Sequence, residues 1–425
     1  EVRIGIQDHG LPFGPLRVRS VEASEAGDDA SEGLPLIRRA VDRAEWIHRG
    51  KQGKELRLVK LRPQKDVTEQ STEAQLAPLA EDEPRAPEQE YTITRLRPEH
   101  AVGVSRCIYR VYGNTYLLED CYYPDRIVAR NESGEFVSVV ALDEAGEVVG
   151  HYALERPRLT RVAERGIAVV SPAHRGRDLM GRMRTFLEEE ARRLGLIGVF
   201  SYAVTQHVYS QRVNEEFGSE VCGIGLGGGP GNPLFKKGEC TPRPQRESYV
   251  LYFTYAERPE RAVVHAPPQH REVLERIYAG LGVEIEHRPP APAEGEGDVE
   301  VRYDHSLDTG IIRVLRVGED TAAEIRRARR DLCAITGAEA VLLELPLAQP
   351  GAPELCREAE EDGFFFSGLG PSFAEDGDAL MLQFLAADLD VSRLKLASPF
   401  ARELLEYIDS ERARVAALQE APASE

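Results

Sequence analysis

The stretch RVAERGIAVVSPAHRGRDLMGRM, residues 161–183, sets a strand, a basic turn and a helix in immediate succession. Apolar residues crowd the strand up to Pro172, which cannot continue a sheet ladder. His174, Arg175 and Arg177 fill the turn. From Asp178 onward Leu179, Met183, Phe186, Leu187 and Leu194 recur at helical spacing until Gly195 stops the helix. The segment belongs to a mixed α and β fold. Its turn also has a chemical consequence, because the first amides of a helix lack intrahelical acceptors and sit at the positive end of the dipole. Such a helix start favours an anion without any particular side chain.

The rest of the chain divides around this segment. PQKDVTEQSTEAQLAPLAEDEPRAPEQE is polar and acidic, with prolines and no sustained apolar period, and reads as a flexible linker over 63–90. It separates a first block, 1–62, from a middle block, 91–258, and a last block, 259–425. The middle block orders as strand (YTITRLR), helix (PEHAVGVSRCIYRVYG), a helical stretch near DRIVARN, and a hairpin of FVSVVALD and EVVGHYAL. The strand before the basic turn, its helix, the strand GVFSYAV and the helix QHVYSQRVNEEFG follow. The last block repeats the later part of that order: helix TAAEIRRARRDLCAITGA, strand AVLLELPL, helix APELCREAEEDG and strand ALMLQFLA. It reads as a degenerate duplicate with a closing helix from LASPFARELLEY onward.

The middle block resembles the GNAT superfamily of N-acetyltransferases, whose fourth strand is followed by Arg or Gln, two residues, Gly, one residue, and Gly or Ala. Here that window is Arg175, Gly176, Arg177, Asp178, Leu179 and Met180. Arg175 matches, while Asp178 and Met180 stand where small residues are expected. The resemblance implies a mixed-sheet α+β fold, in tandem if the last block is a second copy. It also implies acetyl-CoA as donor, with its pyrophosphate on the turn (Arg175, Gly176, Arg177, Asp178, Leu179, Met180, Gly181). The backbone of Ala168, Val169 and Val170 would hold the pantetheine arm where the strand splays from its neighbour. Asp178 reads as an N-cap accepting from the amides of Met180 or Gly181, in competition with a phosphate. A carboxylate about 4 Å from a phosphate costs on the order of 1 kcal/mol in water and about 4 kcal/mol at an effective dielectric of 20. Met180 would turn its side chain into the core. The alternative is that Asp178 and Met180 are cap and packing in a helix that binds nothing.

Acetyl transfer to an amine needs a base for the ammonium proton and a proton for the departing thiolate. Glu164 lies on the strand at the place where some members of the superfamily carry the base. It could equally be a strand-edge Glu paired with Arg161 or Arg165. Many members carry a Tyr as the acid four residues before the glycine ending the next helix, and that position is Asn214 here. Tyr209 is the candidate substitute, with core packing as its alternative. The glycine-dense CGIGLGGGPGNP lacks the strand, turn and helix context of a dinucleotide fingerprint and reads as a flexible loop over the acceptor cleft.

In the first block, IGIQDHGLPFGP and the later EGLPLIRRAV resemble the end of a GHKL-type ATPase of the anti-sigma-factor serine kinase kind, an α/β sandwich. Asp8 and Gly10 match the box that binds adenine. Gly33 and Leu34 match a later glycine box, in which Ser31 replaces the first glycine and Pro35 intrudes. The chain begins inside a strand, and the earlier part of such a domain, with its magnesium-bearing Asn, is expected to be missing. ATP and magnesium are therefore expected only in an intact parent domain.

A net charge of −19 disfavours nucleic acid and anionic lipid as partners. The six cysteines have no spacing that would make a metal site, and read as reduced thiols. No apolar run approaches the roughly 20 residues that span a bilayer. Together these features read as a bacterial, cytoplasmic N-acetyltransferase fused to an ATPase-like regulatory module, acting on an amine of a small molecule or a protein, with a regulatory protein as further partner. The rival reading is an acyl-CoA-sensing regulator, without turnover, in a serine kinase/anti-sigma partner-switching system.

Overall fold

A computed structural model describes residues 2–9, 40–48, 53–60, 64–80, 83–116, 118–156, 160–230, 245–304 and 307–420. The first block contributes β1 (Val2–Asp8), β2 (Arg43–His48) and β3 (Lys54–Lys60). The middle block contributes β4 (Thr92–Arg95), α1 (Ala101–Tyr112), α2 (Pro124–Glu132), β5 (Phe136–Leu142), β6 (Val148–Glu155), β7 (Val162–Val170) and α3 (Leu179–Arg193). It continues with β8 (Gly198–Val204), α4 (Tyr209–Glu216), β9 (Glu220–Gly229) and β10 (Glu247–Tyr255). The last block begins with β11 (Arg261–Val264), α5 (Arg271–Leu281), β12 (Glu284–His287), β13 (Asp298–Asp304) and β14 (Thr309–Arg316). It ends with α6 (Thr321–Asp331), β15 (Ala340–Pro346), α7 (Ala352–Glu361), β16 (Phe365–Ala374), β17 (Gly377–Leu385) and α8 (Pro399–Glu420).

All of these strands except the parallel pair β11 and β12 form one sheet, in the order β1-β3-β2-β13-β14-β15-β17-β16-β9-β10-β8-β7-β6-β5-β4. One succession of pairings, antiparallel, parallel, antiparallel, antiparallel, occurs twice. It runs β6–β7, β7–β8, β8–β10, β10–β9 in the middle block. It runs β13–β14, β14–β15, β15–β17, β17–β16 in the last block. Helices lie at matching places in both, α3 and α4 in one, α6 and α7 in the other.

The two runs meet edge to edge at β9 and β16, where Gly223 pairs with Gly368. A Cβ on Gly223 would lie 2.7 Å from the carbonyl oxygen of Ser367, so this backbone approach requires glycine. The glycine-dense segment expected as a loop is thus strand β9 up to Gly229, and residues 231–244 lie outside the described residues. Glycines serve here because the neighbouring backbone takes the space of a side chain. One hydrophobic core continues across the junction, with Val221, Ile224, Leu226 and Phe253 in the same cluster as Leu343, Leu369, Leu382 and Ile408. The boundary near residue 258 therefore does not separate two cores.

The segment expected as a flexible linker is laid along the middle block. Val67 is buried and its amide donates to the Tyr122 carbonyl at 2.8 Å. Leu79 donates to the carbonyl of Arg110 at 3.1 Å, and Ala86 to that of Ala173 at 2.9 Å. With few apolar residues it builds no core of its own, but its backbone donors find acceptors on its neighbour. Among the described residues no helix is long and apolar enough to cross a membrane.

Candidate active site

Strand β7 creates the site by leaving its neighbour. Its parallel pairing with β8 covers Val162↔Gly198, Ala163↔Val199 and Glu164↔Phe200, and then stops. Its register with β6 slips between His151 and Ala153, and Ile167 at this bulge has a φ of 56°. A β-branched residue in the left-handed region costs about 1–3 kcal/mol and persists only where the surroundings enforce it. Buried His151 contributes by placing Nδ1 2.9 Å from the Ile167 carbonyl oxygen, and burial pushes its imidazole down to about 4, so the ring is neutral and donates.

Beyond the bulge a cleft of about 460 Å³ opens, lined by Val111, Tyr112, Ala168, Val169, Val170 and the turn after them. Of the cofactor residues expected from sequence, Ala168, Val169, Val170, Arg175, Gly176, Asp178, Leu179 and Met180 all line it, and Arg177 and Gly181 do not. The amides of Gly176 to Gly181 donate to no partner among the described residues, the condition an anion site requires.

Several details of the turn differ from expectation. Asp178 stands before α3 with a φ of 53° and makes no side-chain cap, so it does not occupy the amides of Met180 or Gly181. The left-handed backbone instead carries its carboxylate over the Cα of Gly181, where a Cβ would collide with it. Met180 is half-buried, touching the core beneath α3 while also facing the cleft. Leu194 is exposed at the helix end, and Leu196 is the buried residue there. His174 bonds the Tyr91 hydroxyl at 3.0 Å, and burial pushes its imidazole down, so it adds a dipole rather than a charge. Arg177 donates to the Ala86 carbonyl and Arg182 to that of Tyr91 at 2.7 Å. Both are thus tied to the 83–91 segment. That segment brings Arg85 to the turn, its guanidinium 3.7 Å from the position of a Cβ on Gly176. Sequence reasoning missed Arg85 because it lies in a stretch that reads as linker.

Glu164 is on β7, upstream of the cleft. Neither Arg161 nor Arg165 pairs with it. Arg165 points to the other face, where its Nη2 donates to Asn214 at 3.1 Å and to Ser219 at 3.3 Å. Asn214, at the position of the expected acid, is therefore a structural acceptor. Tyr209 is 72% exposed and does not line the cleft. It sits on the outer side of α4, whose inner residues are Gln211 and Asn214. The phenols near the cleft are instead Tyr112, which donates to the Ala168 carbonyl at 3.4 Å, and Tyr116, whose ring lies 5.0 Å from that of Tyr112. These two tyrosines follow α1, and only the folded chain brings them to β7.

Directly across the β6–β7 ladder from Glu164 is Glu155. Neither carboxylate has a hydrogen-bond or ion-pair partner among the described residues. Burial, then the Glu155 charge and that of Asp304 on β13, raise the Glu164 carboxyl above the ordinary carboxylate range. Burial likewise raises Glu155, opposed by Arg130. Next to them on the same sheet face, Tyr202 keeps 39% of its surface accessible, although burial and the charges of Glu164 and Glu344 push its hydroxyl far up. Its ring meets that of Phe200 edge-on at 5.7 Å, and Phe200 meets Phe373 at 4.8 Å across the two runs of the sheet.

In the first block, Asp8 ends β1, while Gly10, Gly33 and Leu34 lie outside the described residues.

No family model and no curated protein matches this chain. Solved structures do align with part of it. A phosphinothricin acetyltransferase of the GNAT superfamily from Sinorhizobium meliloti, in complex with acetyl-CoA, is 19% identical over 39% of this chain and 89% of its own, with a TM-score of 0.32. The ribosomal-protein-S18-alanine N-acetyltransferase from Escherichia coli is 12% identical over 40% of this chain and 96% of its own, at 0.32. An aminoglycoside 6'-N-acetyltransferase complexed with coenzyme A is 16% identical over 40% and 99%, at 0.30.

Proposed function

We propose that the middle block is an N-acetyltransferase that moves the acetyl group of acetyl-CoA to an amine. The observation that carries this reading is the cleft at the β7 splay, where helix-start amides without a partner among the described residues stand beside the strand edge that β8 leaves. Coenzyme A suits such a cleft. Its pyrophosphate would take the amides of Gly176 to Gly181 and the charges of Arg175 and Arg85. Its pantetheine amides would pair with the backbone of Ala168 to Val170, and the thioester would then lie toward Glu164. There the carboxylate takes the ammonium proton, the amine nitrogen bonds the carbonyl carbon, and the carbon–sulfur bond breaks. The bonded nitrogen gives its second proton to solvent, and the thiolate takes one from solvent.

In this reading the last block is a degenerate second GNAT-like unit, and 1–62 is the remnant of a GHKL-type ATPase acting as a regulatory module in a bacterial cytoplasm. The carboxylate of Asp178 and the side chain of Met180 at the helix start favour a second reading, an acyl-CoA sensor without turnover. Thiol release from acetyl-CoA, measured over a panel of small amines and lysine-bearing proteins, separates the two. Release that depends on the amine supports the enzyme. Binding without release for any acceptor supports the sensor.

A further inference from the structure

We propose that Glu155 is a positioning residue for the transfer reaction: its carboxylate, set against Glu164 across the β6–β7 ladder, makes the two act as one proton-accepting unit. The inference rests on the acetyltransferase reading and adds a residue to it.

The geometry comes from backbone register. Glu155 and Glu164 are directly opposed in an antiparallel pair, where Cβ atoms lie about 4.5–5.5 Å apart and like charges oppose each other. Opposed carboxylates are ordinarily avoided or neutralised by a bridging cation. Here Arg130 of α2 is close enough to oppose the rise at Glu155, yet it is ion-paired to Asp120 at 2.7 Å and to Glu135 at 3.8 Å rather than to Glu155. The Glu155 carboxylate instead lies over Gly166, two residues beyond Glu164 on β7, where a Cβ would collide with it. Gly166 thereby keeps this carboxylate beside Glu164.

The remaining groups around the pair are weak acids or anions. Tyr116 lies after α1 and Cys121 before α2, both pushed well up by burial, with further contributions from Glu155. Tyr202 of β8 and Asp304 of β13 complete the surround. Two carboxylates in such a place cannot both ionise without large mutual cost, so at neutral pH they hold a proton between them. The ionised member is then a stronger base than an isolated carboxylate, which suits it to an alkylammonium proton. One proton leaves the ammonium for the pair as the carbon–nitrogen bond forms. The nitrogen, once bonded to the carbonyl carbon, loses its second proton to solvent as the carbon–sulfur bond breaks. The thiolate takes one proton from solvent and the pair returns its own, so each turnover releases one proton.

The test is a carboxyl-carbon NMR titration of glutamate-labelled protein, run beside the pH profile of kcat/KM for wild type, Glu155→Gln and Glu155→Asp. The titration needs no turnover, so it distinguishes failure of this inference from failure of the acetyltransferase reading. In wild type two coupled steps are expected, near the values of about 7 and about 8 to which Glu155 and Glu164 are raised. In Glu155→Gln the Glu164 step should fall by about one unit or more. The acidic limb of kcat/KM should move down with it while the plateau drops. Glu155→Asp should retain most of the elevation. A Glu164 step unchanged in Glu155→Gln, with the protein folded, overturns the inference, as does an acidic limb that stays in place while the Glu164 step moves.

Discussion

Two turns occupy the same place in the two halves of the sheet, one leading from β7 into α3 and the other from β14 into α6, and they differ in what meets their amides. In the first, the amides of Gly176 to Gly181 have no partner among the described residues, and Arg175 and Arg85 stand beside them. In the second, the amides of the turn from Val317 to Glu319 are taken by the protein. Val317 donates to Gln349 at 2.7 Å, Gly318 to the Thr321 hydroxyl at 2.7 Å, and Glu319 to the Gly295 carbonyl at 2.9 Å. Thr321 closes the turn by donating to the carbonyl of Gly318 at 3.2 Å. The loop before β13 fills the space, with Gly297 donating to the Asp320 carboxylate at 2.7 Å. The strands behind the turns differ in the same sense. β14 stays paired to β15 as far as Arg313↔Glu344, whereas β7 leaves β8 after Glu164. The third pair in each case is Glu164↔Phe200 in one half and Ile311↔Leu342 in the other. One order of pairing thus carries a turn with unbonded amides and Glu164 at the third pair in the first half, and a turn covered by the loop before β13 with Ile311 at that pair in the second. The repeated order of strand pairing supplies a frame, and its two turns are filled differently.

The difference can be probed from both sides. Glu164→Gln should lower kcat/KM by about 100- to 1,000-fold, the scale of a lost general base, with acetyl-CoA affinity unchanged. Ile311→Val at the matching position should leave the rate within about twofold, since loss of a half-buried methylene acts through stability alone. Steady-state kinetics and calorimetry on each variant read these outcomes.

In the plugged turn, a Cβ on Gly318 would collide with the backbone of Glu296 and Gly297. Gly318→Ala should therefore cost about 1–3 kcal/mol in denaturant unfolding without weakening acetyl-CoA binding. A neutral result would mean that the loop does not fill the second turn.

Arg175→Ala should weaken acetyl-CoA binding about tenfold, the loss of one charge-assisted contact. Arg316→Ala, on the β14 side, should leave affinity unchanged, because the loop before β13 covers the turn beside it. Arg85→Ala should have the smallest effect, a loss of about threefold for an exposed cation. Acetylpantetheine, which lacks the pyrophosphate, should bind Arg85→Ala and wild type alike.

Local pattern made much of this legible in sequence. The strand, basic turn and helix at 161–194, the hairpin before them and the repeated order in the last block were all readable from periodicity and glycine stops. So were Ala168 to Val170 and most of the turn, because a splayed strand feeding a helix start is a local event. What escaped depends on long-range pairing. Glu155 lies nine positions from Glu164, and only the β6–β7 register sets them face to face. Arg85 reaches the turn because proline-rich backbone finds acceptors on another surface. The glycines of β9 look like a loop until β16 is placed against them. Tyr209 lies on the exposed side of α4, which helical spacing alone does not identify.

The most direct test of one open and one plugged turn is the stoichiometry of acetyl-CoA binding, measured by calorimetric titration of the full chain. One equivalent per chain is expected, weakened by Arg175→Ala and indifferent to Arg316→Ala. Two equivalents, or none at millimolar ligand, would contradict the assignment of the cofactor to the β7 turn alone.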